Sequence, residues 1–213
     1  MAKFPNSPGA SALAGIAPST VTLPAASTLA RVYYTSSAYP LPWNQFRSFG
    51  PLSFRWDHHL PTAGGEPHEQ ERTVYYAAVN AVTCLAEVFQ ATRRIDRVYQ
   101  APWLVVFNTL RPLLLLDLTG DFATRMGASG AIHSGSRVRA RGWARDLYEA
   151  FPAVEGTLYA SPMHGGAPAL ALNERVLRTP LFPPHPEFHR ALADDVLLDP
   201  LKQAAQALDY ALR

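Results

Sequence analysis

The chain has 213 residues, more than one ordinary domain needs and too few for two comfortable ones, and its 48% apolar content excludes wholesale disorder. Nineteen Lys and Arg against 17 Asp and Glu leave a formal net charge of +2, short of the basic excess of a general nucleic-acid binder. One cysteine excludes an internal disulfide framework and a Cys-based metal cluster and suits a reducing compartment, while 19 prolines predict short elements joined by rigid turns.

Residues 1–30 are rich in Ala, Ser, Thr and Pro. Lys3 is the one early charge, and Pro5, Pro8, Pro18 and Pro24 interrupt any apolar run, so the segment lacks the pattern of a secretory signal. It reads as a weakly structured lead-in with a short helix near Ala25–Ala30, ahead of a single domain over 31–213. The most apolar runs, Trp103–Phe107 and Leu113–Leu116, fall far short of the roughly 18 residues of a spanning helix. A soluble, cytoplasmic protein is expected, with no membrane and no direct nucleic-acid partner.

Arg31–Ser36 is β-rich and predicts the first strand of that domain. Residues 37–72, with Pro40, Pro42, Gly50, Pro51, Pro61, Gly64, Gly65 and Pro67, predict a long irregular loop of the kind that often carries function. Val74–Ala77 predicts a short strand. Asn80 is placed to cap a helix running to about Arg94, in which Val79, Val82, Leu85, Ala86 and Phe89 recur at helical spacing. Val98-Tyr99, Trp103–Asn108 and Leu113–Leu118 predict strands, the last two joined by a turn over Asn108–Pro112. Thr119-Gly120-Asp121 opens a short helix toward Met126, and Arg137–Ala150 predicts an amphipathic helix with Trp143, Leu147 and Tyr148 on its apolar side. Gly156–Tyr159 and Ala169–Leu172 predict strands around a Pro/Gly turn, Ser161–Pro168, and Asp199–Arg213 a terminal helix. Strands in the middle with helices between and after them predict one α+β domain.

Several familiar chemistries leave weak footprints. Asp57-His58-His59 and His68-Glu69 offer metal-ligand residue types. However, Asp117, Asp121 and Asp146 lack the spacing of a metal phosphoesterase, and no second His stands four residues after His68. No metal is expected, and the tripeptide reads as polar residues on a mobile loop. A metal hydrolase built on His58, His59 and His68 is a minor alternative. Cys84, beside Val82 and Leu85 in a helical pattern, reads as a buried inert thiol. No nucleophile elbow or phosphate-binding glycine loop is present, and Gly165-Gly166 reads as a hairpin turn.

One ordered series stands out: Arg31 opening a strand, Arg55-Trp56 in the loop, Tyr75-Tyr76-Ala77-Ala78 before a helix, Glu87 in that helix, and Ser161 ahead of Gly165-Gly166. Singly, each has an ordinary structural explanation. Glu87, with Thr83 and Gln90, reads as the solvated side of its helix, Arg31 as a surface strand residue and Ser161 as a turn residue.

In this order the residues resemble the RES-domain family, named for the Arg, Glu and Ser that its members share. The family's Arg-x-Tyr, Gly-x-Arg-Trp, Tyr-x-Ala, Ala-x-x-Glu and Tyr-x-Ser elements correspond here to Arg31-Val32-Tyr33, Phe54-Arg55-Trp56, Tyr76-Ala77-Ala78, Leu85-Ala86-Glu87 and Tyr159-Ala160-Ser161, over about residues 31–175. Ser53-Phe54 replaces the usual glycine pair before Arg55, and Pro168 falls where many members place Asn.

The resemblance implies a small split mixed β-core like that of ADP-ribosyltransferase toxins, flanked by helices, with a cleft that takes NAD as substrate. It implies a toxin paired with an Xre-like helix-turn-helix antitoxin, which depletes NAD by hydrolysis or phosphorolysis or transfers ADP-ribose to a protein acceptor. Glu87, Arg31 and Ser161 are then the catalytic candidates, and Arg31, Tyr33, Arg55, Tyr76 and Ser161 the NAD-contacting ones. Loss of nicotinamide builds positive charge on the ribose, which a carboxylate stabilises, and planar guanidinium forks suit a pyrophosphate. Trp43, Phe46 and Phe49 are candidates for partner contact or, equally, for core packing beneath the loop. A catalytically decayed interaction module is the alternative, to which the departures near Arg55 and at Pro168 point.

Overall fold

A computed structural model describes residues 4–213. In chain order, α1 (Ala10–Ala14) is followed by β1 (Thr20–Leu23), β2 (Thr28–Tyr34), β3 (Arg47–Gly50), β4 (His68–Ala78), α2 (Ala81–Val88) and β5 (Arg94–Ile95). Then come β6 (Pro102–Asn108), β7 (Leu113–Asp117), α3 (Phe122–Arg125), α4 (Ala131–Ser134) and α5 (Arg137–Ala150). β8 (Gly156–Ala160), β9 (Pro168–Asn173), β10 (Phe188–Ala191), α6 (Leu198–Leu208) and β11 (Ala211–Leu212) complete the described chain, a single α+β domain.

Nine of the described strands form one mixed sheet in the order β1-β7-β8-β9-β4-β2-β6-β10, with β3 also on β4. β4 bonds β9 from Val74 to Ala78, but meets β2 at the single pair Ala30–Ala78. β2 instead pairs with β6 over its whole length, from Thr28–Asn108 to Tyr34–Pro102. The sheet is therefore split between β2 and β4, in keeping with the split core that the family resemblance implied. Beyond the split, β3 takes over the edge of β4, pairing Arg47 with Val74 and Gly50 with His68.

Alternation along the strands sends apolar side chains to two cores. One face carries Ala30, Val32, Val74 and Ala78 under Leu85 of α2 and Trp143 and Leu147 of α5. The other carries Leu29, Tyr75, Phe107, Leu113 and Leu115, closed by Phe46 and Leu181. Trp43 and Phe46 belong to this packing: Trp43 lies 5.4 Å from the Phe107 ring and Phe46 5.0 Å from that of Tyr75. Phe49 alone of the three is exposed, stacked on Tyr39.

Most local signals match the elements found. Helix α5 spans the predicted residues behind a Ser136 cap, and α2 begins after Asn80, whose side chain accepts the Thr83 N–H. α2 stops at Val88 rather than Arg94, because the chain turns through Arg93 at φ 48° to reach β5. The terminal helix ends at Leu208, since Asp209 is left-handed at φ 53° and turns the last residues into β11, parallel to β5. Val98 and Tyr99 are an exposed turn instead of a strand: both N–H groups donate to Asp96 Oδ1, which closes the turn locally. β6 and β7 do not pair with each other. β7 takes β1 and β8 as neighbours, and β6 takes β2 and β10.

The lead-in is corrected most. Residues 4–30 are built into the fold rather than weakly structured, and the helix expected near Ala25–Ala30 is replaced by a turn into β2. Leu13 is fully buried, the Phe4 and Pro5 carbonyls accept Arg139 Nη1 at 2.8 Å and Trp143 Nε1 at 3.0 Å, and β1 pairs with the edge of β7. The physical reason lies elsewhere in the chain: β7 is too apolar to stand as an open sheet edge, and α5 has an indole N–H to satisfy. Among the described residues no helix is long and apolar enough to cross a membrane.

Candidate functional site at the split of the sheet

α2 starts where β4 stops, so it lies over the point at which β2 and β4 part. Asn80 Oδ1 accepts both the Thr83 N–H at 2.8 Å and the Thr83 hydroxyl at 2.9 Å, which fixes the first turn. The Val32 N–H of β2 donates to Cys84 Sγ at 3.1 Å, and burial pushes the Cys84 thiol up to about 12. A thiol so held is not a nucleophile at neutral pH, as the sequence suggested.

Thr83 and Glu87 are one helical turn apart and share a side of α2. That side meets the turn between β8 and β9. Ser161, fully buried, donates its hydroxyl to Glu87 Oε1 at 2.5 Å and accepts the Met163 N–H at 3.2 Å. Because the Thr83 hydroxyl donates to Asn80, it acts as the acceptor for His164 Nδ1, 2.8 Å away. Gly165 and Gly166, at φ 56° and 80°, bend the turn back so that the Ser161 N–H reaches Ala167 O at 2.9 Å. Two side-chain bridges thus pin this turn to α2. Thr83, read from sequence as solvated, is buried because His164 needs it. Thr83→Val is expected to lower stability by about 1–2 kcal/mol, leaving Asn80 and His164 without that partner, and urea denaturation measures it.

Arg55 reaches the same place from the loop between β3 and β4. Asp57 anchors that loop: fully buried, it accepts His59 Nδ1 at 2.5 Å on one oxygen, and Arg47 Nη2 and the Leu52 N–H, both at 2.7 Å, on the other. Burial alone would raise its carboxyl, but these donors and the Arg47 charge win and hold it far below the usual carboxylate range. His58 stacks on Tyr148 at 4.6 Å, with Glu174 beyond it. The tripeptide read as a mobile polar stretch is therefore the buried foundation of its loop. Among the described residues no group of three or more His, Cys, Asp or Glu is placed to hold a metal ion.

From this base Arg55 Nη1 donates to the carbonyls of Ile132 at 3.2 Å and Gly135 at 2.9 Å. Burial raises the Glu87 carboxyl above its ordinary value, opposed by the Ser161 hydrogen bond and then by the charges of Arg55 and Arg137. Burial lowers Arg55 in turn, helped by Arg137 and opposed by Glu87. Tyr76 joins this group, its ring 5.7 Å from Phe54 and its hydroxyl pushed up by burial and by nearby carboxylates.

The sequence candidates fall into two groups. Glu87, Ser161, Arg55 and Tyr76 come together on the α2 side. Arg31 and Tyr33 share the other face of β2 with Leu29, where the Arg31 guanidinium lies 4.1 Å from the Tyr75 ring centre and Nη1 is buried without a hydrogen-bond partner. Tyr33 Oη lies 2.6 Å from His189 Nε2. Sequence reasoning missed Arg137 at this site. Its one available signal was the Ser136 cap, which marks where a helix begins but not what it faces.

A mixed sheet split between two strands, with a helix over the split whose half-buried Glu87 is held by Ser161 of the facing turn, defines the α+β domain. The family model described as the RES domain matches residues 28–194, and the chain belongs to this family. No curated protein matches the sequence. A solved chain from the Mycobacterium tuberculosis MbcT–MbcA toxin–antitoxin complex is similar with a TM-score of 0.49 and 20% identity, covering 79% of this chain and 85% of that one.

Proposed function

We propose that this RES-domain chain is the toxin of a toxin–antitoxin pair and that it cleaves the nicotinamide–ribose bond of NAD in the cytoplasm, with an Xre-like antitoxin as its partner. The observation that carries the reading is the 2.5 Å Ser161–Glu87 hydrogen bond, which holds a partly buried carboxylate beside Arg55 in a family marked by Arg, Glu and Ser.

Leaving nicotinamide takes the bonding pair with it and becomes neutral, and the ribose gains oxocarbenium-like charge. Glu87 stabilises that charge, and its preset orientation avoids the cost of reorganising a solvated carboxylate during the reaction. Ser161, fully buried, fixes the orientation of the Glu87 carboxylate through its hydroxyl. Arg55 supplies charge for the pyrophosphate, and Tyr76 lines the ring-binding side. Arg31 stands apart from this group, on the opposite face of β2 with its guanidinium over the Tyr75 ring, and its part in binding is tested separately. The attacking group is water, phosphate or a protein side chain.

NAD consumption by the purified chain, alone and with phosphate, followed by product mass, tests the reading and names the acceptor. Free nicotinamide with ADP-ribose or its phosphate is expected, as are growth arrest and a fall in cellular NAD on expression in a bacterium. A folded chain that neither binds nor consumes NAD returns the reading to a non-enzymatic interaction module. Arg31→Ala is expected to weaken NAD binding, and an unchanged dissociation constant removes Arg31 from the phosphate site. Glu87 acts as the carboxylate and burial raises its pKa, so activity should fall with decreasing pH through a limb above the ordinary 4.5. An acid limb at or below that value counts against its role.

A further inference from the structure

Arg137 stands in the first turn of α5, exposed, and takes no part in the family motifs. Its Nη2 donates to Gln90 Oε1 at 2.8 Å, while Gln90 Nε2 donates to the backbone oxygen of Glu87 at 2.6 Å. One glutamine therefore ties Arg137 to the turn of α2 that presents the carboxylate. The segment just before Arg137 holds the other cation, since Ile132 and Gly135 supply both carbonyls that bind Arg55 Nη1. Its tight course depends on Gly135, where a Cβ would lie 2.7 Å from Ala131 O and 3.0 Å from Phe4 Cδ1.

The partners of these two arginines are the telling feature. Arg55 bonds carbonyls and Arg137 bonds an amide oxygen, and among the described residues neither forms an ion pair with a carboxylate. Arg47, Arg72 and Arg111 instead pair with Asp57, Glu149 and Glu155, whereas Arg175 is held, like Arg55, by carbonyls alone, those of Tyr148, Phe151 and Val154. Neutral acceptors fix a guanidinium's position without cancelling its charge. Arg55 is bonded to Gly135, two residues before Arg137, and both cations act on the Glu87 carboxylate, so one negative charge is shared between two guanidiniums.

We propose that Arg137 and Arg55 form a two-guanidinium anion site beside Glu87, built for a phosphate dianion or diphosphate, with Arg137 exchanging Gln90 for the ligand. Forked guanidiniums match phosphate oxygens in geometry as well as charge, and Arg137 is free to move because one neutral hydrogen bond holds it. The diphosphate of a dinucleotide is the occupant under the NAD reading, on which that assignment rests. Inorganic phosphate shares the chemistry.

Titration calorimetry on the full chain separates these cases, using NAD, phosphate-free nicotinamide riboside and inorganic phosphate as probes. Glu87→Gln in every sample suppresses turnover. Arg137→Ala is expected to weaken NAD binding about tenfold or more, to flatten its salt dependence, and to leave nicotinamide riboside unchanged. Arg137→Lys should restore part of the loss, with thermal melting checking that each variant is folded. Phosphate binding that is lost in Arg137→Ala, in a chain that binds no NAD, overturns the nucleotide reading and keeps the anion site. NAD and phosphate affinities that are both unmoved by Arg137→Ala, or absent altogether, overturn the site.

Discussion

Glu87→Gln should cut the rate of nicotinamide release from NAD by about 10²-fold or more while the melting temperature stays close to that of the parent chain. The substitution keeps the shape and an oxygen to accept the Ser161 hydroxyl, so the turn that carries Ser161 stays docked on α2 through that bond and through His164–Thr83. What it removes is the negative charge. A preorganised charge is worth most where the surroundings are poorly solvated, and burial is the largest influence on this carboxyl. Single-turnover rates with product mass make the measurement. Near-native turnover from a folded Glu87→Gln chain would remove Glu87 from the chemistry, whatever then became of NAD binding.

The second large effect concerns stability. Asp57→Ala should cost about 3–5 kcal/mol, because it strips the shared partner from Arg47, His59 and the Leu52 N–H inside a fully buried pocket. Arg55, two residues away, should lose its fixed approach to Ile132 and Gly135, so NAD turnover should fall with stability. The same carboxylate gives the stability a defined pH dependence. A carboxyl lower in the folded than in the unfolded chain contributes fully above the ordinary carboxylate range, and its contribution drains away as pH falls through that range. Glu174 acts in the same direction: burial would raise it, but His58 at 3.9 Å and hydrogen bonds from the Tyr148 hydroxyl and the Thr73 N–H bring it to about 2. Unfolding free energy should therefore decline from about pH 4.5 toward pH 2, and Asp57→Asn should flatten part of that decline. Equal slopes for the two chains would show that Asp57 does not carry the linkage.

The sequence by itself determined the features that depend on a few neighbouring residues. Asn80 and Ser136 start their helices where a side-chain acceptor three residues upstream of an N–H can cap them. The apolar spacing of α5 gave both of its ends, the runs from Trp103 and Leu113 became strands, and Gly165-Gly166 made the turn beside Ser161. The Arg, Glu and Ser elements were also legible, because their order survives as text even when their distances do not.

Only the tertiary structure decided which of those residues meet. Glu87 and Ser161 are 74 positions apart, and Arg55 and Gly135 80 apart. Each contact exists because strand order places α2, the β8–β9 turn and the entry to α5 at one end of the split. The alternation of β2 separated Arg31 and Tyr33 from that cluster, a choice of face set by the pairing of β2 with β6. Asp57 passed for part of a mobile polar stretch because its partners come from β3 and from its own loop's return, and the lead-in passed for a weakly structured segment because its worth lies in covering β7 and α5. Local propensity acts over one or two turns of chain, whereas burial and charge pairing are decided by neighbours that the sheet brings in from elsewhere.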